Sequence, residues 1–397
     1  LVTSKVIAVF VGPLGMGLIG NLRNFLSAAE SWGTLGFQHG IVKYVAENKD
    51  DKDKVFAVFS TAFWTIAIVV IVTCLALFVF AQSVNELLFG EFNYVHIIQV
   101  LALALPWYVF SLVFVAVLNG LGQYHQVVKI NMIGNVIGLV FSVYLITQYQ
   151  TVGALTALII TPALLFLVSF FYLQKQLAIT QYLSFRFFDF GILKSLSVYS
   201  LMFFISAIIG PFVYLEIRNE MIASLGHDSA GYWEAVNRIS MYYLLFVSTL
   251  AGVYFFPRLS LTKSIKETQH IFWSYYRWIW SLFTLGLFVI YFFREWIIAL
   301  LFTPAFEPVN ELFFWQLFGD AFKAAALILG YQFLAKKMTA HFLITETISL
   351  LVMYFSSLYF MQLFKTEGVV MAYALTYVIY FTILVVVFRK VLFVKEF

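Results

Sequence analysis

The sequence predicts an all-α polytopic membrane protein: twelve transmembrane helices in two six-helix lobes related by an internal repeat, with the first helix truncated. Three observations carry this expectation. The chain of 397 residues is 62% hydrophobic and 11% charged, with a mean hydropathy of +0.93, a composition that fits stacked apolar spans and no large soluble domain. Its lysines and arginines fall on alternate connections, and three pairs of segments match at a nearly constant offset.

In chain order, the apolar runs and their breakers place spans near 1–11, 14–41, 55–81, 94–119, 126–148, 152–174, 192–217, 229–256, 269–293, 310–335, 340–363 and 368–389. The opening run LVTSKVIAVFV is too short to cross a bilayer and has no signal-peptide cleavage pattern, so it reads as the end of a helix that begins earlier. Behind the Gly12-Pro13 turn, the second run must stay helical for about 28 residues, enough to cross about 30 Å of hydrocarbon with some tilt. Helical spacing sets Arg23, Ser27, Glu30, Thr34 and Gln38 on one side of it. Such a stripe is costly against lipid and belongs in a wet cavity or against a neighbouring helix. Residues 1–174 read as one lobe, 175–191 as a cytoplasmic linker and 192–397 as the second lobe.

Charge orients the chain. Lys43, Lys49, Lys52, Lys54, Lys129, Lys175, Arg186, Lys194, Arg258, Lys263, Lys266, Lys336, Lys337, Arg389, Lys390 and Lys395 lie on one side, and only Arg218, Arg294 and Lys365 on the other. Sixteen against three puts the first side, and both termini, in the cytoplasm by the positive-inside rule. The remaining bases, Lys5, Arg23, Arg238, Arg277 and Lys323, are inside spans. Counted along their helices at about 1.5 Å per residue, Lys5, Arg23, Arg238 and Lys323 share a layer roughly 10 to 20 Å below the outer surface. Each is expensive if it faces lipid, which favours an electropositive chamber.

The repeat appears in three places. Gly17 matches Gly231; LNGLGQYH from Leu118 matches LAKKMTAH from Leu334; QTVGALTALI from Gln150 matches KTEGVVMAYA from Lys365. The offsets are about 214, 216 and 215, consistent with two parallel halves, as in transporters that bind substrate at the repeat interface.

Among polar groups, Asp320 and Lys323 stand at i, i+3 and Glu234 and Arg238 at i, i+4, spacings that allow each pair to neutralise itself along its helix or to serve a ligand. Glu30, Glu216, Asp320 and Glu346 are the acids able to exchange a proton. The aromatic residues, among them Phe25, Trp32, Tyr232, Trp233 and Trp315, make up 20% of the chain; most read as packing or lipid contact and some as faces open to stacking. Tyrosine and tryptophan gather at span ends, with Trp107 and Tyr108 as exceptions. The sequence has no Walker A, HExxH or GxSxG motif and no pair of histidines at metal-ligand spacing. The acid-rich segment 47–54 reads as a solvated loop, the single Cys74 makes no intrachain disulfide, and a net charge of +4 without an aromatic-laced basic tract argues against nucleic acid. Neither a metal nor a cofactor is expected.

Four stretches, GPLGMGLIGNLRNF, GIVKYVAE, PFVYLEIRNEM and WQLFGDAFKAAALILGYQFLAK, resemble in order and spacing the Wzx-type polysaccharide-repeat-unit flippases. These carry O-antigen or enterobacterial common antigen units and belong to the multidrug/oligosaccharidyl-lipid/polysaccharide exporter superfamily. The resemblance runs along essentially the whole chain, and Arg23, Arg218, Asp320 and Lys323 fall at matching positions, whereas Arg238 rests on the depth argument alone. It implies a V-shaped pair of lobes moving an undecaprenyl-diphosphate-linked oligosaccharide from the cytoplasmic to the periplasmic leaflet of the bacterial inner membrane. It also implies a pathway shared with a polymerase and a chain-length regulator. The substrate-binding set would be Arg23, Arg238, Lys323, Lys5 and Arg218, and the coupling or ion-pairing set Asp320, Glu30, Glu234 and Glu346. Two other readings stay open: a drug/cation antiporter of the same superfamily, for which the layer has too many bases, and a membrane polymerase or ligase, for which the outward loops are short.

Overall fold

The computed structural model describes residues 2–177, 185–262 and 264–393. Two of the basic residues used to orient the chain, Lys263 and Lys395, lie outside the described residues, as does part of the expected linker. The described residues form helices and short turns with no strand. By packing, the chain divides into two compact units, one of residues 1–11 and 18–215, the other of residues 12–17 and 216–397.

In the first unit, α1 (Val2–Phe10) is followed by α2 (Gly12–Gly33), α3 (Gln38–Glu47), α4 (Lys52–Val79), α5 (Ala81–Phe89), α6 (Val95–Gly120), α7 (Tyr124–Leu177) and the start of α8 (Phe190–Leu225). The unbroken helix expected over 14–41 stops at Gly33, because Leu35 (φ 52°) and Gly36 (φ 65°) both turn left-handed, and the chain restarts at Gln38. The Thr34 hydroxyl donates back to the Glu30 carbonyl at 2.9 Å. The polar stripe therefore ends before Gln38. Asp51 caps α4, its Oδ1 accepting the Lys54 N–H at 3.2 Å. That bond, together with the Lys54 ammonium, holds the Asp51 carboxyl below its ordinary range. The connection expected after residue 81 is instead the short helix α5, tied down where the buried Asn21 amide donates to the Leu88 carbonyl at 2.9 Å.

The second unit holds the end of α8, then α9 (His227–Leu250), which runs through a π-helical turn (Ala251–Phe255) into α10 (Phe256–Leu261). It continues with α11 (Ile265–Ser274), a second π-helical turn (Tyr275–Trp280), α12 (Ser281–Phe292), α13 (Arg294–Leu301), α14 (Val309–Ala335), α15 (Thr339–Val387) and α16 (Arg389–Phe393). The loop expected to begin at Arg218 is helix as far as Leu225, and Gly226 alone (φ 87°) turns the chain into α9. Arg218, counted above as an outer-loop cation, is 2% exposed. Residues 294–301, also expected as loop, form α13, bent 72° from the helical run before it. The core here is aromatic, with Phe255, Phe272, Tyr275, Phe333 and Phe388 interleaved.

Among the described residues, five helices are long and apolar enough to cross a membrane, or six if the bent pair counts as one span, against the twelve segments expected. The two longest, α7 with 54 residues and α15 with 49, each break once, at Gln150 (φ 49°) and Lys365 (φ 53°), and so hold two expected segments apiece. Those breaks are 215 residues apart, and each is locked by a glycine three residues on. A Cβ on Gly153 would meet the Leu145 carbonyl at 1.9 Å, and one on Gly368 the Phe360 carbonyl at 2.2 Å. The ends of α6 and α14 also match: Gln123 N–H bonds Leu118 O and Met338 N–H bonds Phe333 O, with Gly122 and Lys337 both left-handed. The structure sets that pair at 215, one less than the sequence alignment gave. Gly17 and Gly231, the third matched pair, meet at 3.3 Å between the position of a Gly17 Cβ and the Gly231 N. The repeat is thus written in backbone conformation more clearly than in side chains.

Candidate functional site

In the first unit, α2 presents Arg23, Ser27 and Glu30 to a cavity of about 320 Å³. Its other walls are Tyr108 of α6, Ser142 of the first half of α7, and Ala157, Leu158, Thr161 and Pro162 of the second half. The Tyr108 hydroxyl donates to Glu30 Oε2 at 2.5 Å, a charge-assisted bond from one of the two aromatic residues that stood out of place in mid-span. Sequence reasoning missed Tyr108, although its distance from any interface was the available signal. The halves of α7 come together through Gly134 and Gly138, where added Cβ atoms would meet Leu165 Cδ2 at 2.1 Å and Thr161 Cγ2 at 2.4 Å. Two glycines one turn apart let the backbones approach as membrane helices commonly do. Lys5 is half-buried on α1.

The second unit carries two polar clusters that share α9. Toward α8, Glu234 takes two guanidinium groups: Arg218 Nη2 bonds its Oε2 at 2.9 Å and Arg238 Nε its Oε1 at 3.1 Å. All three side chains are buried. The Arg218 guanidinium also lies 5.0 Å from the Trp233 ring centroid. Trp233 is fully buried and offers no face to a sugar. The Glu234–Arg238 spacing thus makes the pair expected of it, with a second arginine added.

Toward α14, Asp320 is 0% exposed and accepts from Ser240 Oγ at 2.7 Å, Tyr243 OH at 2.5 Å, Tyr373 OH at 2.6 Å and Gln316 Nε2 at 3.4 Å. The helix-local pairing of Asp320 with Lys323 is not made. Three hydroxyls from α9 and α15 occupy the carboxylate, and Lys323 turns to aromatic faces, its Nζ 5.5 Å from the Tyr373 centroid and 4.9 Å from that of Tyr377. Tyr373 therefore touches both, its hydroxyl on Asp320 and its ring under Lys323. Glu346 of α15 lies near Tyr380 and within reach of the Lys323 charge. Of the other aromatic residues singled out, the Trp32 Nε1 donates to Thr73 at 3.1 Å, Trp315 to Glu367 at 3.0 Å, and Tyr232 meets Phe306 edge-on. No group of three metal-ligating side chains occurs among the described residues.

Chemically, each unit sets cations, half-buried or buried, beside hydroxyls, aromatic faces and a carboxylate, the means of holding an anionic, hydroxyl-rich molecule. The profile of a family described as "Polysaccharide biosynthesis protein" matches residues 6–311. The Lipid III flippase of Escherichia coli (strain K12) is 26% identical over 386 residues, spanning 96% of this chain and 92% of its own. Among solved structures, the lipid II flippase MurJ in an inward closed conformation superposes with a TM-score of 0.75 at 14% identity, over 98% of this chain and 84% of its own. An inward-facing multidrug resistance MATE family transporter of the MOP superfamily gives 0.73 at 14%, over 98% and 94%. At these identities the structural likenesses speak for the fold. The apolar helices and the flippase relative together make the chain a multi-pass membrane protein.

Proposed function

The chain belongs to the polysaccharide biosynthesis protein family, and from that premise we propose that it is a flippase carrying a polyprenyl-diphosphate-linked oligosaccharide across the membrane by alternating access. Its relative is named for flipping lipid III. The observation that carries the reading is the placing of cations inside apolar helical units: Arg23 at a hydroxyl-lined cavity in one, Lys323 on tyrosine faces in the other. A diphosphate needs such charges out of water, Arg as a two-pronged donor and Lys as a point charge, while the polyprenyl tail stays in lipid. Arg218 and Arg238 share the single carboxylate of Glu234 and so leave a net positive charge inside the second unit.

Asp320, Glu30, Glu234 and Glu346 are the acids through which a proton or cation gradient would bias one state over the other. The two lobes, residues 1–174 and 192–397, would move as the alternating halves. Both termini would face the cytoplasm of the bacterial inner membrane, with a polymerase and a chain-length regulator acting after the flip. Vesicle reconstitution tests the proposal: a labelled lipid-linked oligosaccharide should cross to the far leaflet with its mass unchanged. A change in mass would mean an enzyme, and proton-driven uptake of an organic cation without glycan movement would mean a drug antiporter.

A further inference from the structure

We infer that the cavity of the first unit is a subsite for a single sugar ring, with Thr161, Ser142 and Tyr108 as residues that read its hydroxyls. The inference rests on the flippase reading and narrows it. A volume of about 320 Å³ lies at the small end of ligand sites and suits a compact group such as one sugar ring. Its polar lining comes from four helical segments: Ser27, Glu30 and Arg23 from α2, Tyr108 from α6, Ser142 and Thr161 from the two halves of α7. That mixture of acceptors and donors around an apolar floor of Leu26, Ala157 and Leu158 suits a sugar, which has both an equatorial ring of hydroxyls and an apolar face.

Thr161 is the telling residue. Its hydroxyl is buried and has no hydrogen-bond partner among the described residues, although a helical threonine ordinarily bonds the carbonyl one turn back. Its methyl branch is packed on Gly138, where an added Cβ would come within 2.4 Å of Cγ2 but only 4.0 Å of Oγ1. The glycine thereby fixes which branch is packed against it and leaves the hydroxyl on the side away from that contact. One residue on, Pro162 has no N–H to give the Leu158 carbonyl, so a backbone acceptor at the same wall lacks its usual donor. A lone buried hydroxyl is costly unless something else satisfies it, and an incoming sugar hydroxyl does so. Glu30, already accepting from Tyr108, has a second carboxylate oxygen for the same purpose.

The test uses the purified full chain in vesicles and two probes: a labelled polyprenyl-diphosphate oligosaccharide and the sugar-free polyprenyl diphosphate with the same tail. Thr161→Val keeps the side-chain shape and removes the hydroxyl; Ser142→Ala removes a second one from another helix. Each should raise the half-saturating concentration of the glycan lipid about three- to tenfold, the usual effect of one lost hydrogen bond, and change that of the sugar-free lipid by less than twofold. Equal weakening of both probes would mean a packing defect and would overturn the subsite, as would no change for either. A wild-type protein that moves neither probe would instead overturn the flippase reading itself.

Discussion

Replacing Lys323 with alanine is expected to abolish surface polysaccharide while the protein still inserts at wild-type abundance. The ammonium sits over the faces of Tyr373 and Tyr377, half-buried in an apolar unit. Its removal costs the fold about 0.5–2 kcal/mol of cation–π attraction, an amount a domain with several kcal/mol in reserve survives. The loss to function is larger, because a charge facing a diphosphate out of bulk water is worth far more than one in water. Lys323→Arg, which keeps the charge on a bulkier planar head, should restore part of the activity. Polysaccharide detection at the cell surface, with membrane abundance measured in the same cells, checks both halves. Wild-type polysaccharide in the alanine variant would remove Lys323 from the account.

Asp320→Ala is expected to cost stability heavily, whatever coupling it also removes. Its carboxylate is the acceptor for Ser240, Tyr243, Tyr373 and Gln316, and it is wholly buried. Deleting it strands three hydroxyls and an amide at once, each costing about 1–3 kcal/mol when left unpaired. The sum, about 3 kcal/mol or more after partial rearrangement, falls in the range tied to broken buried networks. Asp320→Asn retains one acceptor oxygen and should lose clearly less. Thermal unfolding of the detergent-purified variants would show the order wild type, Asn, Ala. An alanine variant as stable as wild type would mean that this network does not hold α9, α14 and α15 together.

The apolar spans and the repeat were legible because both are properties of local pattern. Hydropathy finds any long buried run, and the offset of about 215 survives as paired backbone breaks at Gln150 and Lys365 even where side chains have diverged. The Arg23, Ser27 and Glu30 face was readable for the same reason, since it depends only on helical spacing. Its extension to Gln38 failed at Leu35 and Gly36, whose left-handed turn interrupts a sequence with no proline or charge to announce it. The partners of Asp320 were not legible: helical spacing allowed a pair with Lys323, and hydroxyls delivered by other helices took that place. Partners of that kind, like Tyr108 for Glu30, are set by tertiary packing, and helical periodicity along one element carries no record of them.

The central claim is that a cation held inside the apolar second unit receives a phosphorylated lipid headgroup. Binding of sugar-free polyprenyl diphosphate to the purified protein in nanodiscs tests it most directly, comparing wild type with the Lys323→Ala variant. One lost charge-assisted contact at about 1.5–3 kcal/mol predicts an affinity about ten- to a hundredfold weaker. Equal affinities, with both proteins folded, would contradict it.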